Sequence, residues 1–143
     1  MTPAGRVDVV PLLLPLHEEL LALLRTLSDD DWRRPTVCPG WTVHDIAAHL
    51  LDGQLRRLSM GRDRWFGVQP SGELIDFLDR LNAEWVTAAR RISPRLLISF
   101  LEQTGPELAA HFAALDPNAP ALFAVSWAGE ETSASWMDIG REY

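Results

Sequence analysis

The chain has 143 residues, 47% hydrophobic and 23% charged, with a formal net charge of −7. That length suffices for one domain with its own core, since a chain of this size buries roughly 70% of its unfolded surface. The acidic balance argues against nucleic acid as a partner, no apolar run reaches the ~18 residues of a membrane span, and the start lacks the layout of a signal peptide.

Leu13, Leu16, Leu20, Leu23, Leu24 and Leu27 recur at helical spacing, predicting an amphipathic first helix that begins between Pro11 and Pro15 and ends near Ser28. His17, Glu18, Glu19 and Arg25 fall off that stripe toward water. Residues 29–41 read as a loop by their turn chemistry, pinned to the bundle by Trp32 and Trp41. Thr42 followed by Asp45 is a helix N-cap with an acidic first turn, and the second helix runs to about Met60. A third helix is expected from about Ser71 to Arg91, with Leu74, Phe77, Leu78, Leu81, Trp85 and Ala88 on one face.

Ser93-Pro94 opens a helix toward Leu115, and Gly105-Pro106 predicts a kink or two shorter helices within it. A long connection follows, in which 121–127 form a short strand or a buried loop. The final helix starts at Ser133 or Ser135, with no stop signal, and is expected to be incomplete at Tyr143. The fold class is all-α: a single domain over 1–143, built as a helical bundle with a long loop before the last helix.

The chemistry available is narrow. All 13 basic residues are Arg, which removes lysine Schiff-base and lysine general-base reactions. Cys38 is the lone cysteine, which excludes an internal disulfide and fits a reducing, cytoplasmic setting. No HExxH, CxxC, phosphate loop or nucleophile elbow occurs. His49 lies at the border of the buried face of the second helix, with Asp45 one turn before it and Asp52 nearly one turn after. That pattern suits a metal ligand with a carboxylate behind it, and it equally suits an exposed face with charge pairs one turn apart. His44 points away from His49, and His17 and His111 have no paired ligand nearby. Six tryptophans admit an apolar-ligand cage, although large aromatics in small bundles mostly serve as core and loop anchors.

The string Asp31-Trp32-Arg-Arg-Pro35-Thr36-Val-Cys38-Pro39-Gly40-Trp41-Thr42-Val43-His44-Asp45-Ile-Ala-Ala-His49-Leu50 resembles the N-terminal domain of the mycothiol-dependent maleylpyruvate isomerase family of actinobacteria, within the wider DinB-like superfamily. The stretch Val125 to Tyr143 is similar to the same family's approach to its last helix. The resemblance implies a DinB-like four-helix bundle holding one divalent metal, usually zinc, with His49 as a ligand. It implies further ligands on the last helix four residues apart, for which Glu142 is the residue nearest the right place; Asp45 and Arg141 would be polar supports. The implied activity is isomerisation or S-transfer, with a metal-bound thiolate of mycothiol or a similar low-molecular-weight thiol attacking an electrophilic small molecule. The rival expectation is a non-catalytic bundle acting as a binding or dimerisation module, and a homodimer is compatible with either.

Overall fold

The computed structural model describes residues 5–122 and 132–142. Among them the chain forms six α-helices: α1 (Val10–Thr26), α2 (Asp29–Arg33), α3 (Val43–Arg56), α4 (Leu74–Ala89), α5 (Pro94–Ala114) and α6 (Ser135–Ile139). A π-helical segment, Arg57–Arg62, continues α3. The four long helices make an all-α bundle in which α3 packs on both α4 and α5, and α1 packs on α5. No helix among the described residues is long and apolar enough to cross a membrane.

The core has two parts. Leu21, Leu24, Trp32, Ala47, Ala48, Leu51, Ala89, Leu97 and Leu101 pack at one end. At the other, Leu13, Leu58, Leu108, Ala109, Phe112 and Ile139 bring α6 onto α1, α5 and the π-helical segment. Burying a large aliphatic side chain contributes roughly 1.5–3 kcal/mol, so these clusters fix the helix pairing and the caps fix where each helix begins. Ser28 and Thr42 each form a reciprocal capping box, with Asp31 and Asp45 respectively, and the Ser93 side chain accepts from the Leu96 N–H.

Several boundaries depart from the sequence reading. Residues 29–33 are a capped helical turn, because Ser28 and the three aspartates supply what a helix N-terminus needs. Helix α1 begins at Val10, so Pro15 lies inside it. The buried stripe of α1 is rotated from the expected one: Leu13, His17, Leu21 and Leu24 face inward, while Leu16 and Leu23 are exposed. The third helix is shorter at both ends than predicted, and its buried positions are Phe77, Val86 and Ala89.

Helix α5 runs unbroken through Gly105-Pro106. The proline forfeits one hydrogen bond, but Thr104, Gly105 and Leu108 are buried around it, and packing holds the helix together. The last helix is closed after one turn and a half: Gly140 follows Ile139 as its C-cap, a stop the sequence carried in plain view. Residues 123–131, which hold most of the 121–127 stretch together with Trp127, lie outside the described residues; on either side, Pro120 and Ala134 form an antiparallel bridge.

The displaced stripe of α1 has a polar cause. His17 is 2% exposed and sits over Gly105 of α5. Its Nε2 lies 2.8 Å from the Leu101 carbonyl. A carbonyl only accepts, so Nε2 carries the proton and Nδ1 accepts from the Gln54 amide at 3.4 Å. Gln54 in turn accepts from the Thr104 hydroxyl. One buried polar chain thus ties α1, α3 and α5 together, with its groups mutually satisfied.

Candidate functional site

His49 occupies the second turn of α3, and the loop before that helix delivers an aromatic ring to it. Pro35 and Thr42 form an antiparallel bridge, and between them Thr36 donates to the Trp41 carbonyl from both its backbone N–H and its hydroxyl. Gly40, at φ +78°, makes the reversal that a side chain would strain. The outcome is the Trp41 ring tilted against His49, centroids 5.2 Å apart.

Nδ1 of His49 is buried with no hydrogen-bond partner among the described residues. Burial and then the Arg56 guanidinium push its pKa below the ordinary imidazole value, with Asp52 working the other way. The ring is therefore held neutral near pH 7, which is the form that can donate a lone pair. Asp52 Oδ2 stands 3.0 Å from Arg56 Nε as an ion pair, without the geometry of a hydrogen bond, and neither atom has a hydrogen-bond partner among the described residues; burial leaves the Asp52 pKa raised.

Asp45 is not turned to His49. It closes the capping box with Thr42 and pairs with Arg90 at 3.1 Å. Burial would raise its pKa, but Arg90 and the bonds to Thr42 together outweigh that and hold it below the usual carboxylate range. His44 also serves the scaffold: its Nε2 donates to the Ile92 carbonyl at 2.7 Å, and its ring meets Trp32 edge-on.

Glu142 lies one turn along α3 from His49. Its Oε1 sits 3.6 Å from where a Gly53 Cβ would be, and its Oε2 accepts from Arg57 Nε at 3.1 Å. Arg57 also pairs with Asp138. The Glu142 side chain is only 7% exposed, and burial raises its pKa against the opposing pull of Arg57. The structure therefore places both residues singled out from the sequence along one side of α3. It adds Arg57 and Asp138, which the sequence reading passed over, and gives a partner to Gly53, which the helical wheel places at the seam of the buried face. The signal for them was present, since Gly53 and Arg57 follow His49 at successive four-residue steps and Asp138 precedes Glu142 by four.

The other candidates are dispersed. His17 is locked in the core network, and the His111 Nε2 lies beside Gly61. Cys38 is half-buried in the loop ahead of α3. Among the described tryptophans, Trp32 is buried, Trp65 is 71% exposed, Trp85 donates to the Ala48 carbonyl, and Trp136 lines a cavity of about 150 Å³ between the N-terminal segment and the end of α5. They form no common cage.

Among the described residues no three His, Cys, Asp or Glu side chains converge as a metal-binding group. Of the two residues singled out from the sequence, His49 keeps a buried Nδ1 with no hydrogen-bond partner among the described residues, and Glu142 has its carboxylate held by Arg57.

No curated protein and no solved structure matches the chain significantly. A family model does, over residues 13–140, and its description is the mycothiol maleylpyruvate isomerase N-terminal domain. With the match running from α1 through α6, the chain belongs to the mycothiol maleylpyruvate isomerase N-terminal domain family.

Proposed function

We propose that this domain takes part in metal-assisted chemistry of a low-molecular-weight thiol, mycothiol or a similar one, directed at an electrophilic small molecule. The observation that carries the reading is the buried Nδ1 of His49, which has no hydrogen-bond partner among the described residues. A polar nitrogen taken out of water with no acceptor or donor costs about 1–3 kcal/mol, and a metal ion is a partner that would offset that cost.

His49 and Glu142 are the residues that would hold the metal, zinc by the chemistry of a nitrogen and an oxygen donor. They supply two of the three protein ligands that a stable site needs. When bound, the metal supplies positive charge that favours the thiolate form of a thiol near neutral pH. The chain's own residues do the rest by positioning. Trp41 shields one side of His49 from water, Asp52 and Arg56 flank it as an internally neutral pair, and Arg57 orients Glu142.

Elemental analysis of purified wild-type protein and His49→Ala tests the reading. The expected result is a divalent metal in the wild type and its loss in the variant. Equal metal content in the two would remove His49 from the site and favour the rival reading, a non-catalytic DinB-like bundle acting as a binding or dimerisation module.

A further inference from the structure

The cavity beside Trp136 lies apart from His49 and Glu142, neither of which lines it. Three separate parts of the chain wall it: Val9 and Val10 at the start of α1, Phe112 and Leu115 at the end of α5, and Trp136 and Ile139 of α6. Each wall is pinned by hydrogen bonds of its own. The Asp8 carboxylate accepts from the Val10 N–H at 3.2 Å, and the Val9 carbonyl accepts from the Leu12 N–H at 2.9 Å, which fixes the entry into α1. The Leu115 N–H closes α5 on the Phe112 carbonyl at 3.2 Å, and the Trp136 N–H donates to the Pro117 carbonyl at 3.0 Å. Phe112 and Ile139 are in addition buried in the second core cluster. The space between these walls is therefore preformed, as small-molecule sites usually are.

Size, lining and access point to one class of occupant. A volume of about 150 Å³ behind aliphatic and aromatic walls suits a single six-membered ring. While nothing fills it, the lining forgoes dispersion contacts that such a ring would restore, and the Trp136 indole offers an aromatic partner. A sealed void would admit nothing, but residues 6–8 form an exposed flank here, with Val7 59% exposed. Arg6 and Asp8 stand on that flank as a loose ion pair 3.9 Å apart. An anion drawn to Arg6 would meet the Asp8 carboxylate as well, and a cation the reverse, so the entrance favours neither sign. A charged group pushed further in would lose its water among apolar side chains.

We propose that this cavity is a binding site for a small, neutral, single-ring aromatic molecule seated against Trp136. It is independent of the metal reading given above, since it shares no residue with it.

Titration of the full chain with toluene, followed by proton–nitrogen NMR, tests the site. The expected result is a saturable shift of the Trp136 indole N–H, identified by its loss in Trp136→Phe, with a Kd on the order of 1 mM or lower. The Trp85 indole N–H, bonded to the Ala48 carbonyl beside the other core cluster, should not move. Ala113→Leu, on the α5 side of the cavity, and Val9→Phe, on the α1 side, each add volume to it and should weaken toluene at least about 10-fold. The two lie on different elements, so either serves if the other does not fold. Benzoate, the same ring with a charge, should bind at least about 10-fold more weakly than toluene. Absence of a saturable Trp136 shift, or wild-type toluene affinity in a folded, filled variant, would overturn the site. Benzoate binding as tightly as toluene would overturn the neutral class of ligand.

Discussion

Gly105→Ala is the most discriminating single substitution in this fold, because two physical effects oppose each other at that position. Alanine in place of glycine inside a helix is ordinarily favourable by about 0.8–1 kcal/mol. Here the new Cβ would run into the His17 ring, at Nε2 and at the two carbons beside it. That approach is far inside van der Waals contact, and the ring cannot swing away, since His17 is 2% exposed. Forcing extra volume into a packed site costs about 1–3 kcal/mol, and displacing the ring breaks its bonds to Leu101 and Gln54, each worth about 0.5–1.5 kcal/mol. Setting these costs against the helix gain leaves a net loss of about 3 kcal/mol. Urea unfolding with an unchanged m-value measures it. The double variant His17→Ala/Gly105→Ala should be less destabilised than the sum of its parts, because the clash disappears with the ring. A neutral or stabilised Gly105→Ala would refute the reasoning and show that His17 does not sit on Gly105 in solution.

Asp45→Ala should cost about 1 kcal/mol or slightly more at neutral pH, mainly as a lost cap, since Arg90 is half exposed and its ion pair is screened. The Asp45 carboxyl is held below its ordinary value of 3.8, so its contribution is present above that pH and disappears as pH falls through the lower folded value; the stability curves of wild type and variant should therefore converge in strong acid and differ fully at pH 6–7. Trp85→Phe removes the 2.7 Å hydrogen bond to the Ala48 carbonyl and should lower stability by about 1 kcal/mol, with thermal denaturation as the measure. Gly53→Ala should be tolerated, since its Cβ would stand at an ordinary 3.6 Å from Glu142. Gly53→Leu would fill the space that the carboxylate occupies and should weaken zinc binding, measured by competition with a chromophoric chelator, while circular dichroism remains helical.

Much of the fold was legible because helices are local. The leucine spacing of α1, the Thr42/Asp45 cap of α3 and the Ser93-Pro94 start of α5 are statements about residues within a turn or two of each other, and the structure shows each helix where these signals lie. The same locality explains the misses. A single glycine and proline in α5 signal a break only if nothing else holds the helix, and here Thr104, Gly105 and Leu108 are buried against other elements. His17 reads as a surface residue on a leucine helix until Gly105, Gln54 and Leu101 are brought to it from α5 and α3.

The site divides in the same way. The sequence by itself determined an acidic, lysine-free, helical chain with His49 at the edge of a buried face, and the likeness of the Trp41-Thr42 to His49-Leu50 run to one family. Only the tertiary structure decided that His49 keeps a ring nitrogen without a hydrogen-bond partner among the described residues beside Trp41, that Asp45 belongs to Arg90, and that Glu142 lies over Gly53 in the grip of Arg57. These are contacts between residues as many as 85 positions apart. Helical periodicity tells which residues share a face, but what that face meets is set by packing across the bundle.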